Sequence, residues 1–268
     1  MADRNTSDSN PPNLNTMEWA KTTWDEVPTK LKAANFSAIL PIGATEQHGP
    51  HMGCGMDYVL ADILCKAVAE KTNTPMLPTM PYGCSIGHSR RWPGTIALQP
   101  ITLINTIKDM GDWAYHSGIR RLFIVNTHVT NAAPLRCALE MLRAEHDDMM
   151  IAVFNTAHLS KRAKEFQHAD GDDWHANDAE TSLMLATAAY MVRSDKLQMA
   201  DDPDRTDNLV FSHPVNRTSL NGVTGTPSLS TKEKGVEWFN WLVDDLSALI
   251  IKGKQETPPL AYSYFEKV

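Results

Sequence analysis

Four side chains able to bind a cation, Glu46, His48, His51 and Asp57, fall within the stretch LPIGATEQHGPHMGCGMD that runs from Leu40 to Asp57. Carboxylate and imidazole together suit zinc, manganese or iron better than calcium or magnesium. Glycines and prolines between them (Gly43, Gly49, Pro50, Gly53, Gly55) exclude a regular helix there. The residues just before, Ser37 to Ile42, are small or apolar and read as a buried strand ending at Gly43. A Gly-rich loop leaving a strand end is where α/β proteins place ligands. The alternative is a polar surface loop that happens to hold histidines. His51, after Pro50, fits either a residue that orients a ligand or one that caps the turn. Asp57, ahead of a helix, could serve the helix N-terminus, a cation, or both.

Two further clusters have the same placement. RRLFIVNTH predicts a buried strand over Leu122–Val125 that stops at Asn126, Thr127 and His128. His175 and Glu180 lie at or near the first turns of a helix in WHANDAETSLMLATAAYMV, where a glutamate can also simply complement the helix dipole. In a parallel sheet such ends converge on one edge. Glu46, His48, Asp57 and His128 would then hold one metal, or two bridged by Asp57. A divalent metal lowers the pKa of bound water to roughly 7 and polarises a carbonyl oxygen. A nearby imidazole can carry the proton to a leaving nitrogen. That chemistry is metal-assisted hydrolysis of an amide-like bond.

The elements that must position these groups alternate. Thr23 and Glu26 are spaced as a capping box for a helix through Val27 and Leu31. Val59, Leu60, Ile63, Leu64, Ala67 and Val68 have helical spacing after Asp57. Pro75 to Gly83 predicts a short strand flanked by prolines. Cys84 to Leu98 predicts an ordered loop over the site: His88 is a pocket residue or a satisfied loop histidine, Arg90, Arg91 and Trp92 could face substrate or a subunit interface, and for Trp92 packing is the favoured reading. Helices are predicted over Ile101–Ser117, closed by Gly118, and over Ala133–His146, with a strand over Met149–Asn155. His158 to Trp174 reads as a polar excursion or lid, and the following helix as reaching Met191. Asp201 to Ser230 reads as loop, and Lys232 to Ile251 as an amphipathic helix. The pattern predicts a single α/β domain: a mostly parallel sheet with helices on both faces, a three-layer αβα arrangement over residues 16–252. Residues 1–15 and 253–268 read as tails.

Composition narrows the function. The formal net charge of −7 argues against a nucleic-acid-binding patch. No run approaches the roughly 20 apolar residues of a membrane span, and the N-terminus lacks the apolar core of a signal peptide. The four cysteines, Cys54, Cys65, Cys84 and Cys137, contain no CxxC pair, which suits a reducing cytoplasm. Cys65 and Cys137 are expected in the core, and Cys54 could line a pocket. His116, His146, His158, His168 and His213 lie outside the motifs and read as surface or packing residues.

The motifs resemble those of the creatininase (creatinine amidohydrolase) family. The matching pieces are PIGATEQHGPHMGCGMD, YGCSIGHSRRWPGTIAL, IVNTH with Asn131, HANDAETS and GVTGTPSLSTKEKG, in family order over most of the chain. The resemblance implies a metal-dependent α/β hydrolase, commonly oligomeric and often hexameric, acting on cyclic amides, formamides and related C–N bonds of small molecules. It implies that Glu46, Asp57 and His128 hold one metal, that His48 and Asp57 hold a second, and that His175 transfers the proton.

The departures from the family pattern matter. Many relatives read NGHGGN where this chain reads NTHVTN. Creatininase carries a glutamate, a ligand of the second metal, where this chain has Thr130. Either that site is weakened or Glu180 supplies the carboxylate, and Glu180 is the expectation. Trp174 is near, not at, the place of a tryptophan that closes over creatinine. Val129 and Thr130 replace small glycines, which reshapes the pocket, so creatinine is not the expected substrate. Trp174, His88 and Thr130 are the expected substrate contacts. Two alternatives stand beside the amidohydrolase: a family hydrolase that opens a sugar or polyol ring or trims a peptide tail, and a non-catalytic metal-binding oligomer.

Overall fold

A computed structural model of the chain describes residues 16–88 and 90–267; the predicted tail over 1–15 lies outside them. Three strands, β1 (Ser37–Ile42), β2 (Arg121–Asn126) and β3 (Met150–Asn155), pair in parallel in the order β1-β2-β3. Their side chains sort by the two-residue period of a strand. Ile39, Phe123 and Val125, with Ala152 and Phe154, pack on one face against α2 (Met56–Thr72), α6 (Asp178–Thr187) and α8 (Lys232–Gln255). Leu40, Ile42, Leu122 and Ile124, with Ile151 and Val153, pack on the other, against α3 (Pro100–His116), α4 (Ala132–Glu145) and Leu31 of α1 (Val27–Ala33). The expected three-layer αβα architecture follows from these two cores. In register, Ile42 pairs with Asn126 and Asn126 with Asn155, so all three strands end at one edge.

Several elements differ from expectation, each for a local reason. Pro75 to Gly83 does not form a strand; only Met76 and Met80 bridge to β1. Pro75, Pro78 and Pro81 have no N–H to donate, so the ladder is reduced to isolated bonds such as Leu77 N to Ile39 O at 2.8 Å. The Thr23 capping box is half made. Glu26 accepts from Thr23 N at 2.9 Å, but the Thr23 hydroxyl turns to Asp25, and the helix starts at Val27. The polar excursion holds a helix of its own, α5 (Lys161–Gln167), capped by Ser160 and seated by Phe166 stacking on Trp238. α6 ends at Thr187 rather than continuing to Met191. The chain turns there so that Met191 O accepts from Gly53 N and Arg193 N donates to His51 O, tying this segment to the first motif.

The 201–230 segment is mostly loop, with one short α-helix, α7 (Val215–Thr218), and a 3-10 turn over Pro227–Leu229. Val223 and Thr224 are buried, and Thr224 pairs its backbone with His175. α8 continues through Gln255, past the predicted start of the C-terminal tail. Cys65 is buried as expected, whereas Cys137 is exposed on the outer side of α4. No helix among the described residues is long and apolar enough to cross a membrane.

Candidate functional site

The shared strand edge gathers the three clusters. Gly43 ends β1 against the first turn of α2; a Cβ there would stand 2.4 Å from Tyr58 N. That contact brings Asp57, the second residue of α2 and not its cap, beside the loop after β1. Thr127 holds it there by donating its hydroxyl to Asp57 O at 2.8 Å. The β2 end supplies His128, and α6 supplies Glu180. His175 is held just before α6 by two backbone bonds with Thr224.

The side chains converge and are almost fully buried. Glu46 Oε1 lies 2.8 Å from His175 Nε2 and 3.1 Å from His88 Nε2. Glu46 Oε2 lies 3.2 Å from His128 Nε2, and Asp57 Oδ2 lies 3.4 Å from His128 Nδ1, so His128 presents its two nitrogens to two different carboxylates. His48 Nε2 lies 3.6 Å from Asp57 Oδ1 and 4.0 Å from Glu180 Oε2. Two sets, Glu46/His48/Asp57 and Glu46/His88/His175, each bring one ligand atom per residue within 4.8 Å of the others. Thr130 donates its hydroxyl to Cys84 O and stands 2.5 Å from His128 Nε2.

Two histidines have an orientation dictated by backbone carbonyls, which only accept. His48 Nδ1–H donates to Glu46 O at 3.0 Å, and His175 Nδ1–H to Gly222 O at 2.8 Å. In both rings Nε2 is thereby turned into the cluster. His51 lies outside it, with Nε2 2.9 Å from the Thr181 hydroxyl, bracing the loop against α6.

The charges are frustrated. Burial pushes the Glu46 carboxyl up to about 7 and raises Glu180 as well. Burial disfavours a charged His48, but the Asp57, Glu180 and Glu46 carboxylates outweigh it and raise the imidazole to about 10. Burial would raise Asp57, yet His48 and His128 hold it below its ordinary range. Burial, then the neighbouring His48 charge, lowers His175 to about 4, and burial takes His88 well below its ordinary value. Glu46 Oε2, His48 Nε2, Asp57 Oδ2 and His88 Nδ1 are buried without a hydrogen-bond partner. Buried polar atoms are rarely left so unless an ion or ligand completes them.

The cluster floors a cleft of about 180 Å³. Trp174, Thr130 and His88 line it, as do Asp173, His213, Pro214 and Val215. The sequence carried no sign that His213 reaches this rim: it arrives on a loop with no motif of its own. Arg90 and Trp92 line a separate surface pocket. Cys54 is half-buried in the first-motif loop, beside Gly94.

Similarity to known proteins runs along most of the chain. The family model for Creatininase (creatinine amidohydrolase) matches residues 20–250. A creatinine amidohydrolase of Pseudomonas putida is 30% identical over 88% of this chain and 96% of its own. A mycofactocin precursor peptide peptidase of Mycobacterium ulcerans is 29% identical over 81% of this chain and 85% of its own. A 3-dehydro-scyllo-inosose hydrolase of Thermotoga maritima is 27% identical over 85% and 80%. Among solved structures, a mutant creatininase superposes with a TM-score of 0.81 at 27% identity, covering 90% of this chain and 100% of its own. A Zn–Zn type mutant creatininase and a manganese creatininase each give 0.79 at 26% identity, covering 90% of this chain and 99% and 100% of theirs.

Proposed function

Because this chain belongs to the creatininase family, we propose that it is a metal-dependent amidohydrolase that cleaves a C–N bond in a small lactam, cyclic amide or formamide. The observation that carries the proposal is the buried set of carboxylates and imidazoles at one cleft, in which Glu46 Oε2, His48 Nε2 and Asp57 Oδ2 have ionic neighbours but no hydrogen-bond partner. Three buried carboxylates, Glu46, Asp57 and Glu180, call for positive charge, and mixed nitrogen and oxygen donors suit zinc, manganese or iron. The zinc and manganese forms of related creatininases support the same class of ion.

In this proposal Glu46, His48, Asp57, His128 and Glu180 hold one or two divalent ions. Asp57 stands between His48 and His128, and together with Glu180, in place of the carboxylate that Thr130 lacks, would add to the negative charge that holds such ions. A bound divalent ion lowers the pKa of water towards about 7 and polarises a carbonyl oxygen. His175, with Nδ1–H on Gly222 O and Nε2 facing Glu46 Oε1, would take the proton of the attacking water and return it to the leaving nitrogen. Trp174, Thr130 and His88 bound the substrate, and the cleft volume favours a small molecule.

A second reading keeps the ion and changes the bond. The peptidase and inosose hydrolase relatives favour it, since proteins similar to this chain over most of its length act on a precursor peptide and on an inosose. The test is elemental analysis together with turnover of a panel of lactams, cyclic amides and N-formyl compounds, for wild type and Glu46→Ala. The expected result is one to two ions per wild-type chain, with ions and turnover both lost in the variant. Wild type that binds none after reconstitution with zinc, manganese and iron would overturn the proposal.

A further inference from the structure

Away from the cleft, two histidines face each other nitrogen to nitrogen. His158 closes the turn Thr156–His158 that follows β3, and His168 follows the last residue of α5. Their Nε2 atoms are 3.3 Å apart, with ring centroids 5.2 Å apart. Two nitrogens on one tetrahedral ion, each at about 2.0–2.1 Å from it, stand about 3.3–3.4 Å from one another. The far nitrogen of His168, Nδ1, lies 3.4 Å from Asp172 Oδ1. The Asp172 side chain is fully exposed and Nδ1 itself has no hydrogen-bond partner, so this carboxylate adds negative charge nearby without fixing the ring.

The surroundings favour a cation. His168, though not His158, lines a surface cleft together with Asp172, Asp207 and Asp204, the last already accepting from Thr206 and Asp173 N. Lys164 on α5 is an opposing charge. Burial, His168 and Lys164 all lower His158, which keeps it in the neutral form that binds metal.

We propose that His158 and His168, with the Asp172 carboxylate nearby, form an auxiliary site for a transition ion, zinc first, separate from the Glu46 cluster. An ion there ties the end of β3 to the end of α5. His168 stands edge-on to the Trp174 indole, with centroids 5.8 Å apart and planes at 73°, and Trp174 lines the cleft. Occupancy of the auxiliary site therefore steadies one wall of the cleft.

The test is equilibrium dialysis of the full chain against zinc, with zinc counted per chain, in a Glu46→Ala background with and without His158→Ala or His168→Ala. Counting in that background reads the auxiliary site whether or not the Glu46 cluster binds an ion. The expected result is one zinc fewer in each histidine variant. Equal counts overturn the proposal, as does a count lost with His168→Ala but kept with His158→Ala, which would move the ion to the aspartates. Electron paramagnetic resonance of Cu²⁺ on Glu46→Ala protein gives an independent readout: coupling to two imidazole nitrogens, reduced to one by His158→Gln, is expected, and coupling that His158→Gln leaves unchanged overturns the pair.

Discussion

His175 and Gly222 are joined by a 2.8 Å hydrogen bond from the imidazole Nδ1–H to the peptide carbonyl. That bond turns Nε2 toward Glu46, whose Oε1 lies 2.8 Å away. Gly222 is itself held by Gln47, whose side-chain amide donates to the same carbonyl at 3.0 Å. At φ +88°, with Gln47 Oε1 only 2.2 Å from where a Cβ would be, the position suits glycine alone. The residue between Glu46 and His48 thus orients the histidine that faces Glu46.

His175→Gln tests the proton-transfer role. The variant keeps a polar side chain but cannot exchange a proton near neutral pH. Turnover should fall by about 10²–10⁴-fold, while ion content and KM stay close to wild type. A variant that keeps its turnover would remove His175 from the chemistry.

Glu180 and Thr130 form a pair of opposite predictions. If Glu180 completes the second ion position, Glu180→Ala should lower the ion count from two to one. Adding Thr130→Glu should restore the second ion, because Thr130 borders the same cleft next to His128. One ion in wild type and in both variants would mean a single-ion site. Elemental analysis of the three proteins decides it.

Gly235 lets α8 cross closely over α6. A Cβ there would stand 1.8 Å from Ser182 O and 2.9 Å from Ala186 Cβ. Gly235→Ala must push the helices apart, an overpacking cost of about 1–3 kcal/mol or more. Because α6 carries Glu180, ion affinity should fall together with the thermal midpoint, which drops by about 2–4 °C per kcal/mol at this chain length. A midpoint within error of wild type would mean that the crossing relaxes freely.

Asp202 gives a pH prediction away from the cluster. Burial works to raise this carboxyl, but Arg205, the Leu220 N–H and the Ser219 hydroxyl hold it below its ordinary range. A depressed folded-state value contributes stability that is present above the unfolded-state value of about 4 and is lost as the pH falls through the folded-state value. Asp202→Asn should therefore cost about 1.5–3 kcal/mol at pH 7, and the gap to wild type should close as the pH drops below about 4. Urea unfolding of both proteins across that range checks the sign; a constant gap would contradict it.

What could be read from the chain alone was local. Strand identity showed in Ser37–Ile42 and Leu122–Val125 because a strand buried on both faces needs a continuous apolar run. The candidate ligands showed because Glu46, His48 and Asp57 share one loop, and His128 and His175 each sit in a compact motif. Punctuation by glycine also worked: Gly118, at φ +99°, closes α3 as predicted. Misreadings arose where distant partners override local pattern. Pro75–Met80 joins β1 only through scattered bonds, Phe166 finds Trp238 and so gives the polar excursion a helix, and Cys137 sits on the wrong side of its helix stripe.

The sequence by itself determined which groups could bind a cation and that each stands at the end of an element. Only the tertiary structure decided how they meet. The parallel register lines up Ile42, Asn126 and Asn155, and that alignment brings residues more than 100 positions apart, such as Glu46 and His175, to 2.8 Å. Which nitrogen faces inward depends on carbonyls such as Gly222 O, and the rim residue His213 arrives on a loop from far along the chain. These are long-range contacts set by packing two cores on one sheet, and no short window of residues encodes them.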